Sequence, residues 1–304
     1  MRSQRSDDNR KELTRLLGEV AAAEGTQQTA IPGVSVTRQS YPSERHSILY
    51  KPAIVIVGQG SKRGYVGGDV YRYDAHNCLV LAVPLPAECE VDASSEEPLL
   101  VAAVALEPAM VSEMLLEIDE PTPPSGPVPR GISSVPLDDE LCEAAVRLLK
   151  CARSPRDSRV LGRQVVREVV YRVLCGEQGG ALRALANRDE HFTPIARVLR
   201  DIHADYARPL SVEELAKRAA MSPSMFHHYF KLVTASSPLQ YLKRVRLDQA
   251  RALMAHEGCN ASTAATRVGY ESASQFSREF RRLFGASPVE EAARLRARVE
   301  GAPT

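Results

Sequence analysis

The sequence contains no apolar run long enough to cross a lipid bilayer, and no apolar segment follows its polar first ten residues. We therefore expect neither a transmembrane helix nor a secretory signal, and we predict a cytoplasmic protein without a membrane partner. Paired cysteines are also missing: the six cysteines, at positions 78, 89, 142, 151, 175 and 259, include no CxxC spacing. This scatter favours reduced, buried thiols over a disulfide framework or zinc site, and leaves open that one thiol senses an oxidant or an electrophile.

A strong excess of either charge is missing too. The 304 residues carry a formal net charge of +1, with 44% hydrophobic and 25% charged residues, which indicates a globular chain long enough for about two domains. The charge is uneven, since residues 190–304 contain 17 basic and 12 acidic side chains, against 22 and 26 in the preceding residues. Charged helix faces are usually only solvated, so the positions of these charges must decide whether they indicate a partner.

The front half is rich in short β-prone runs. Between positions 34 and 106, runs such as AIVIVGQG and NCLVLAVPL are separated by Gly, Pro and Asn, which predicts an antiparallel sandwich or a small barrel. The alternation that follows Gly67 and Gly68 predicts a hairpin. An amphipathic stretch around Leu13, Leu16 and Leu17 predicts a helix before the first strand.

Helical patterns follow the β-rich segment. Residues 120–131 (EPTPPSGPVPRG) interrupt them as a proline-rich loop that cannot be helical, and residues 137–186 again place apolar side chains at helical spacing. The apolar faces of 137–186 are larger than a linker needs. Two interpretations stay open. The faces either contact a second copy or bridge the domains, which would be functional, or they only pack against the sheet.

The last third of the chain contains an internal repeat with an offset of 50 residues. Each copy predicts a short helix, a tight turn and a second helix. The predicted cap of the first helix is Ser211, with Glu214, in the first copy and Ser262 in the second copy. A further capping box, Ser272 with Gln275, begins the second helix of the second copy. The matching pairs are Ser222 and Ser272, Phe226 and Phe276, Phe230 and Phe280, Lys231 and Arg281, Ser237 and Ser287, and Pro238 and Pro288.

The second helix of each copy has one apolar stripe and one polar face. Helix, turn and helix with a polar outer face is the helix-turn-helix arrangement, whose second helix fits the major groove of DNA. Ser, Gln and Arg can hydrogen-bond base edges, and Lys and Arg can contact phosphates. The polar faces consist of Ser224, His227, His228 and Lys231 in the first copy, and of Ser274, Gln275, Arg278 and Arg281 in the second.

A long helix is predicted between the two copies, over SPLQYLKRVRLDQARALMAHE. About 20 helical residues make a rod of roughly 30 Å. One turn of B-DNA is about 34 Å, so this rod could place the two second helices in successive major grooves on one DNA face. An amphipathic helix pair usually binds nothing, but duplication around a rod of this length favours DNA binding.

At these residues the chain resembles the AraC/XylS family of transcription regulators, with RVRLDQARALM and VGYESASQFSREFRRLFGASP as the matching stretches of about residues 195–295. The resemblance implies two helix-turn-helix units joined by a long helix. It places base contacts on Ser224, His227, His228, Ser274, Gln275 and Arg278, and we assign phosphate contacts to Lys231, Arg244, Arg281 and Arg282. Two residues depart from the family pattern. His228 stands where arginine is frequent, which predicts that this contact is weaker or depends on pH, and Ala235 replaces a usual glycine.

The front half is similar to the cupin-like N-terminal domain of one branch of that family, in the stretch YKPAIVIVGQGSKRGYVGGDVYRYDAHNCLVLAVPLP. Such domains bind an effector or mediate dimerisation. His46 and His76 are the only histidines here and form no HxH pair, so we predict no metal and no cofactor. The candidates for lining an effector pocket are Tyr50, Arg63, Tyr65, Tyr71, Tyr73, His76 and Cys78.

Together these features predict an α+β chain without catalytic activity. It has a cupin-like antiparallel β-barrel for effector binding or dimerisation at residues 1–130, a helical connector at 131–190, and an all-α DNA-binding domain at 191–304. Double-stranded DNA is the predicted partner, with a small-molecule effector, a second copy and RNA polymerase as further candidates. The alternatives are an effector-free DNA-binding regulator and, less favoured, a cupin enzyme fused to a DNA-binding tail.

Overall fold

A computed structural model describes residues 2–118, 127–176, 179–186 and 189–300. The predicted proline-rich loop at 120–131 therefore lies mostly outside the described residues, and its last part, 127–130, is neither helix nor strand. Within the described residues, no helix is both long and apolar enough to span a bilayer.

The front half forms one antiparallel sheet, in agreement with the predicted fold class. Its described strands follow the order β1-β2-β9-β4-β7-β6-β5-β8-β3, with β10 paired to β7. Since no described pair joins β1 to β3, the sheet is a curled half-barrel rather than a closed barrel. The strands are β1 Gly25–Gln28, β2 Val34–Gln39, β3 Ser43–Tyr50, β4 Ala53–Gln59, β5 Ser61–Val66, β6 Asp69–Asp74, β7 Asn77–Leu81, β8 Leu85–Asp92, β9 Leu99–Ala105 and β10 Ile132–Pro136.

The predicted hairpin lies between β5 and β6. Val66 pairs with Asp69, which leaves Gly67 and Gly68 as a two-residue turn. Both glycines have positive φ, 59° and 93°, as such a turn requires. The glycine composition of this turn therefore explains its geometry.

Helices cover one side of the sheet and connect it to the tail. The predicted first helix exists and buries Leu13, Leu16 and Leu17 completely, against strands β4 and β9 and a later helix. These helices are α1 Arg2–Val20, α2 Pro108–Ile118, α3 Asp139–Ala152, α4 Pro155–Cys175 and α5 Gly180–Ala186.

The tail contains the two predicted helix-turn-helix units. The first is formed by α7 and α8, the second by α10 and α11, and α9 joins them. One predicted cap is wrong: Asn260, not Ser262, caps α10, because its side chain accepts from the backbone amide of Thr263. The tail helices are α6 Phe192–Ala204, α7 Val212–Arg218, α8 Pro223–Thr234, α9 Pro238–His256, α10 Ala261–Arg267, α11 Ala273–Phe284 and α12 Pro288–Glu300.

The apolar core does not divide between sheet and tail. One continuous cluster of buried side chains runs from Leu13 through the sheet and the first unit to Val245. A second cluster, from Leu247 to Ala292, packs the second unit against the end of α9 and the start of α12. The first unit is thus packed as part of the front half, while the second has a core of its own.

Candidate nucleic-acid interface

The second unit presents a polar surface because two phenylalanines anchor its helix from behind. Phe276 and Phe280 are fully buried, with ring centroids 5.4 Å apart, and Tyr270 meets Phe276 edge to face at 5.3 Å. Since residues three and four apart share a helix face, this stripe turns the other positions of α11 outward. The predicted base contacts Ser274, Gln275 and Arg278 and the predicted phosphate contacts Arg281 and Arg282 are all exposed.

The first unit repeats this arrangement with different side chains. Phe226 and Phe230 are fully buried, and their ring centroids are also 5.4 Å apart. The predicted contacts on α8 are all exposed; they are Ser224, His227, His228 and Lys231. We call α8 and α11 the reading helices.

Sequence reasoning missed one exposed residue of the first reading helix. Met225 lies 50 positions before Gln275 and is 43% exposed. An apolar side chain at such a position can contact the methyl group of thymine. The repeat offset was the signal that could have identified it.

The two units are fixed to each other through Arg246 on α9. Its guanidinium donates to three backbone carbonyls: Tyr206 at 2.8 Å and Arg208 at 2.9 Å in the loop before α7, and Gly269 at 3.2 Å in the turn of the second unit. Gly269 has a φ of +85°, and a Cβ there would overlap the carbonyl oxygen of Ala207. The loop of one unit and the turn of the other therefore touch closely.

The spacer between the reading helices is a single helix. α9 contains 19 residues and begins at Pro238 behind the cap Ser237. At 1.5 Å per residue it is about 28 Å long, close to the predicted rod.

Each unit ends its reading helix in a left-handed residue. Gly285 adopts a φ of 73° after α11, and Ala235 adopts 56° after α8. The sequence predicted Ala235 as a departure from the usual glycine, and the geometry shows the physical consequence, because an L side chain is strained in this region. A Cβ at Gly67 would collide with Ala235, so the front hairpin contacts the first unit here.

The prediction for Arg244 is not met in this arrangement, since this side chain faces the sheet. Its Nη2 donates to the carbonyl of Ala87 at 2.7 Å and to the hydroxyl of Ser47 at 2.5 Å, and its Nε lies 3.3 Å from Asp248 Oδ2. Burial raises the pKa of Asp248, and the neighbouring Arg244 opposes that rise. A guanidinium engaged in this way is not available to a DNA phosphate.

Further contacts hold the tail on the sheet. The Tyr241 hydroxyl donates to the carbonyl of Pro84 at 2.8 Å, and it therefore accepts from His203 Nε2, also at 2.8 Å. The amide of Gly131 donates to the carbonyl of Val233 at 2.9 Å. The first unit is thus joined to the front half by hydrogen bonds as well as by the shared core.

A cleft of about 390 Å³ remains between the sheet and the tail. Strands β5 and β8 border it on one side, and α9 and α11 border it on the other. Its charged lining contains the ion pairs Arg45–Glu88 and Lys243–Glu279, together with Arg282. The polar side chains that line it include Arg45, Tyr65, Glu88, Lys243, Glu279 and Arg282.

The structure does not bring the seven predicted pocket residues together. Tyr50, Tyr73 and Cys78 are buried in the half-barrel, where the two tyrosine hydroxyls are 2.8 Å apart. Tyr65 lines the cleft and donates to Glu90 at 2.7 Å. The other three, Arg63, Tyr71 and His76, lie at the surface or partly buried, with Arg63 paired to Glu90.

The thiols and the histidines of the front half form no recognisable metal site. Among the described residues, no three His, Cys, Asp or Glu side chains cluster as metal ligands, and all six cysteines are free. Cys89 is fully buried with its sulfur 3.4 Å from His46 Nε2. Burial raises the pKa of the Cys89 thiol, but His46 and Lys62 outweigh that effect and leave the pKa below its ordinary value.

Comparison with protein families matches both halves of the chain. Residues 30–181 match the N-terminus of AraC-type transcriptional regulators, and residues 215–294 match a helix-turn-helix domain. Among curated proteins, the chain is 37% identical over 94 residues to the HTH-type transcriptional regulator AlkR of Acinetobacter baylyi, covering 31% of each chain. It is 31% identical over 147 residues to the transcriptional activator RhaS of Escherichia fergusonii, covering 42% of this chain and 53% of that one. The chain thus spans between a third and about half of the length of these relatives.

Solved structures with a similar fold cover most of the chain. A substituted apo form of ToxT from Vibrio cholerae superposes with a TM-score of 0.56 at 11% identity, over 88% of this chain and all of that one. Wild-type ToxT bound to an unsaturated fatty acid gives a TM-score of 0.55 at 10% identity, over 86% and 93% of the two chains. At this identity the likeness shows a shared fold.

Proposed function

The chain belongs to the AraC family of transcriptional regulators, and we propose on this basis that it binds double-stranded DNA in a sequence-specific way. The observation that carries the proposal is the pair of reading helices, each anchored by two buried phenylalanines with its polar face exposed. Arg246 and the 19-residue α9 keep the two helices in a fixed relation. We further propose a cytoplasmic location, since DNA is the proposed partner.

We assign roles to the exposed side chains by the chemistry of their end groups. Arg278 suits bidentate contact with guanine and Gln275 with adenine, while Ser274 can bond to several bases. In the first unit, Ser224, His227 and His228 hold the base-contact positions. Lys231, Arg281 and Arg282 contact phosphates, and Arg244 instead joins the tail to the sheet.

The front half, residues 1–130 with the connector 131–190, is the proposed regulatory part. The cleft between sheet and tail supports binding of a small effector, because a ligand there touches both parts. In its lining, Arg45 and Lys243 are paired with Glu88 and Glu279, so Arg282 is the group that supports an anionic ligand. A similar structure, that of ToxT, holds an unsaturated fatty acid. An effector that fits one arrangement of the tail better than another shifts the balance between them.

A second copy of the chain is a further proposed partner. Helix α4 exposes the apolar side chains Val160, Leu161 and Tyr171, and these support the dimer contact that the apolar faces of 137–186 predict. RNA polymerase stays a predicted partner. The effector-free regulator is the main alternative, and it predicts a DNA affinity that no ligand changes.

The proposal is tested by selecting duplexes from a random pool with the full chain and measuring their affinity. Arg278→Ala is expected to change the base preference at one position. Arg159→Ala, which removes an exposed arginine from α4, is the charge-matched control and should leave the preference unchanged. A selection that yields no common sequence would refute sequence-specific binding. Titration of the complex with an unsaturated fatty acid tests a fatty acid as the effector, since an unchanged DNA affinity would count against this ligand.

A further inference from the structure

An acidic side chain, Glu279, lies on the second reading helix among the groups proposed to meet DNA. Three donors from three elements converge on its carboxylate. Lys243 Nζ of α9 and Gln275 Nε2 of α11 donate to Oε1 at 2.8 and 3.2 Å, and the Tyr270 hydroxyl in the preceding turn donates to Oε2 at 2.8 Å. The side chain is only 20% exposed. A carboxylate placed beside DNA repels phosphates, so its presence here needs a separate reason.

The carboxylate is held rigidly and in its charged form. Tyr270 is fixed by its edge-to-face contact with the buried Phe276. Burial alone would raise the pKa of Glu279, but the hydrogen bonds from Lys243, Tyr270 and Gln275 outweigh it and hold the pKa below its ordinary value. At neutral pH Glu279 is therefore an acceptor in a fixed position.

This acceptor determines the orientation of the Gln275 amide. Sequence reasoning expected the Gln275 side chain to reach back to the start of α11 as part of a capping box. Its backbone amide does donate to Ser272 Oγ at 3.2 Å, but the side chain points forward along the helix to Glu279. Because an ionised carboxylate only accepts hydrogen bonds, the NH2 end of the amide must face it.

The remaining groups of Gln275 match one base. With one N–H donated to Glu279, the amide keeps one N–H and its carbonyl oxygen, and recognition of adenine in the major groove requires one donor and one acceptor. A freely rotating amide would present the two ends in either order. The fixed amide presents them in one order only.

The first reading helix has no counterpart of this arrangement. The positions equivalent to Gln275 and Glu279 are Met225 and Tyr229, and Tyr229 stacks on His191 with ring centroids 3.9 Å apart. The arrangement is therefore a property of the second unit and not of the repeat.

We infer that Glu279 is a positioning residue that fixes the Gln275 amide for adenine. Its charge lowers the general affinity for DNA, and the fixed amide raises the discrimination at one base pair. The inference rests on the proposed DNA-binding function.

The test uses the full chain with four variants, namely Glu279→Ala, Glu279→Gln, Gln275→Ala and the double variant with both alanines. Glu271→Ala is the matched control, since it removes an exposed carboxylate from the turn that precedes α11. The probes are the selected duplex, its three substitutions at the position whose preference Gln275→Ala abolishes, and a duplex of unrelated sequence. Affinities for all probes are measured at one salt concentration.

We expect both Glu279→Ala and Glu271→Ala to bind the unrelated duplex more tightly. Only Glu279→Ala should lose about 3- to 10-fold of the discrimination at the Gln275 position. Glu279→Gln also removes the charge but keeps an acceptor oxygen, so it should retain discrimination to within about twofold. In the Gln275→Ala background, Glu279→Ala should change no discrimination.

Two results would overturn the inference: discrimination preserved in Glu279→Ala, or an equal loss in the presence and absence of Gln275. A wild-type chain that binds all duplexes equally would instead refute the proposed function itself, so the two failures are distinguishable.

Discussion

Replacing Arg246 with alanine should uncouple the two helix-turn-helix units. The guanidinium makes three hydrogen bonds to backbone carbonyls at 2.8 to 3.2 Å, two in the loop of the first unit and one in the turn of the second. A hydrogen bond that involves a charged group contributes about 1.5–3 kcal/mol. Because Arg246 is only partly buried and water replaces some of these bonds, we expect a loss of about 2–4 kcal/mol of unfolding free energy in total.

Arg246→Ala should change DNA binding as well as lower the stability. Without Arg246, α9 still links the units, but the turn at Gly269 is no longer held against the loop at Tyr206 and Arg208. DNA that carries both half-sites should then be bound less tightly, while the dependence on the spacing between the half-sites should become flatter. Arg246→Lys keeps the charge but cannot reach three carbonyls with one fixed fork, so we expect an intermediate result.

Urea denaturation and binding to duplexes of stepped half-site spacing measure these two effects. Arg200→Ala, on the exposed side of α6, serves as the control that removes the same charge without these bonds. A stability within about 0.5 kcal/mol of the wild type, together with an unchanged spacing preference, would show that Arg246 does not couple the units.

Four further substitutions test other parts of the account. Arg278→Ala should lose about 1–3 kcal/mol at a single base position, and an equal loss on all sequences would make it a phosphate contact. Lys231→Ala should weaken binding on every sequence and reduce the salt slope by about one unit, as read from affinities at several salt concentrations. Phe276→Ala should destabilise the second unit by about 3–5 kcal/mol, and an unchanged melting curve would contradict its anchoring role. Burial lowers the pKa of His203 to about 4, so stability should be complete above about pH 6.5 and decrease by up to about 3 kcal/mol as the pH falls toward 4, a loss that denaturation of His203→Gln should not show.

The tail was predictable because its signals are local. The repeated phenylalanines and serine caps predicted both reading helices, and α8 and α11 begin directly after Ser222 and Ser272. The direction of a side chain around a helix is set by its position in the 3.6-residue turn, so the exposed face follows from the spacing of the apolar residues. The exposure of Arg278 is therefore as the sequence predicts.

Contacts between distant segments were not predictable in the same way. Arg244 looks like any other arginine on a basic helix, and its partners Ser47 and Ala87 are 197 and 157 residues away in the sequence. Nothing local indicates that the sheet covers this face of α9. The position of this side chain therefore follows from tertiary packing, which a charge pattern does not show.

The predicted effector pocket shows the same limit. Tyr50 and Tyr73, two of the predicted pocket residues, are buried in the half-barrel, but their hydroxyls bond to each other. The cleft is instead lined from both halves, by residues such as Arg45 and Arg282 that no sequence pattern connects. The direction of the Gln275 side chain could not be predicted from the sequence either. Its position fits a capping box, yet its amide donates to Glu279.

Hydroxyl-radical footprinting of the full chain on a selected duplex tests the central claim most directly. Two reading helices held by α9 should protect two stretches of backbone on one face of the DNA, with centres about 10–10.5 base pairs apart. Arg278→Ala should weaken the protection of one stretch only. A single protected stretch, or two stretches on opposite faces of the duplex, would contradict the account.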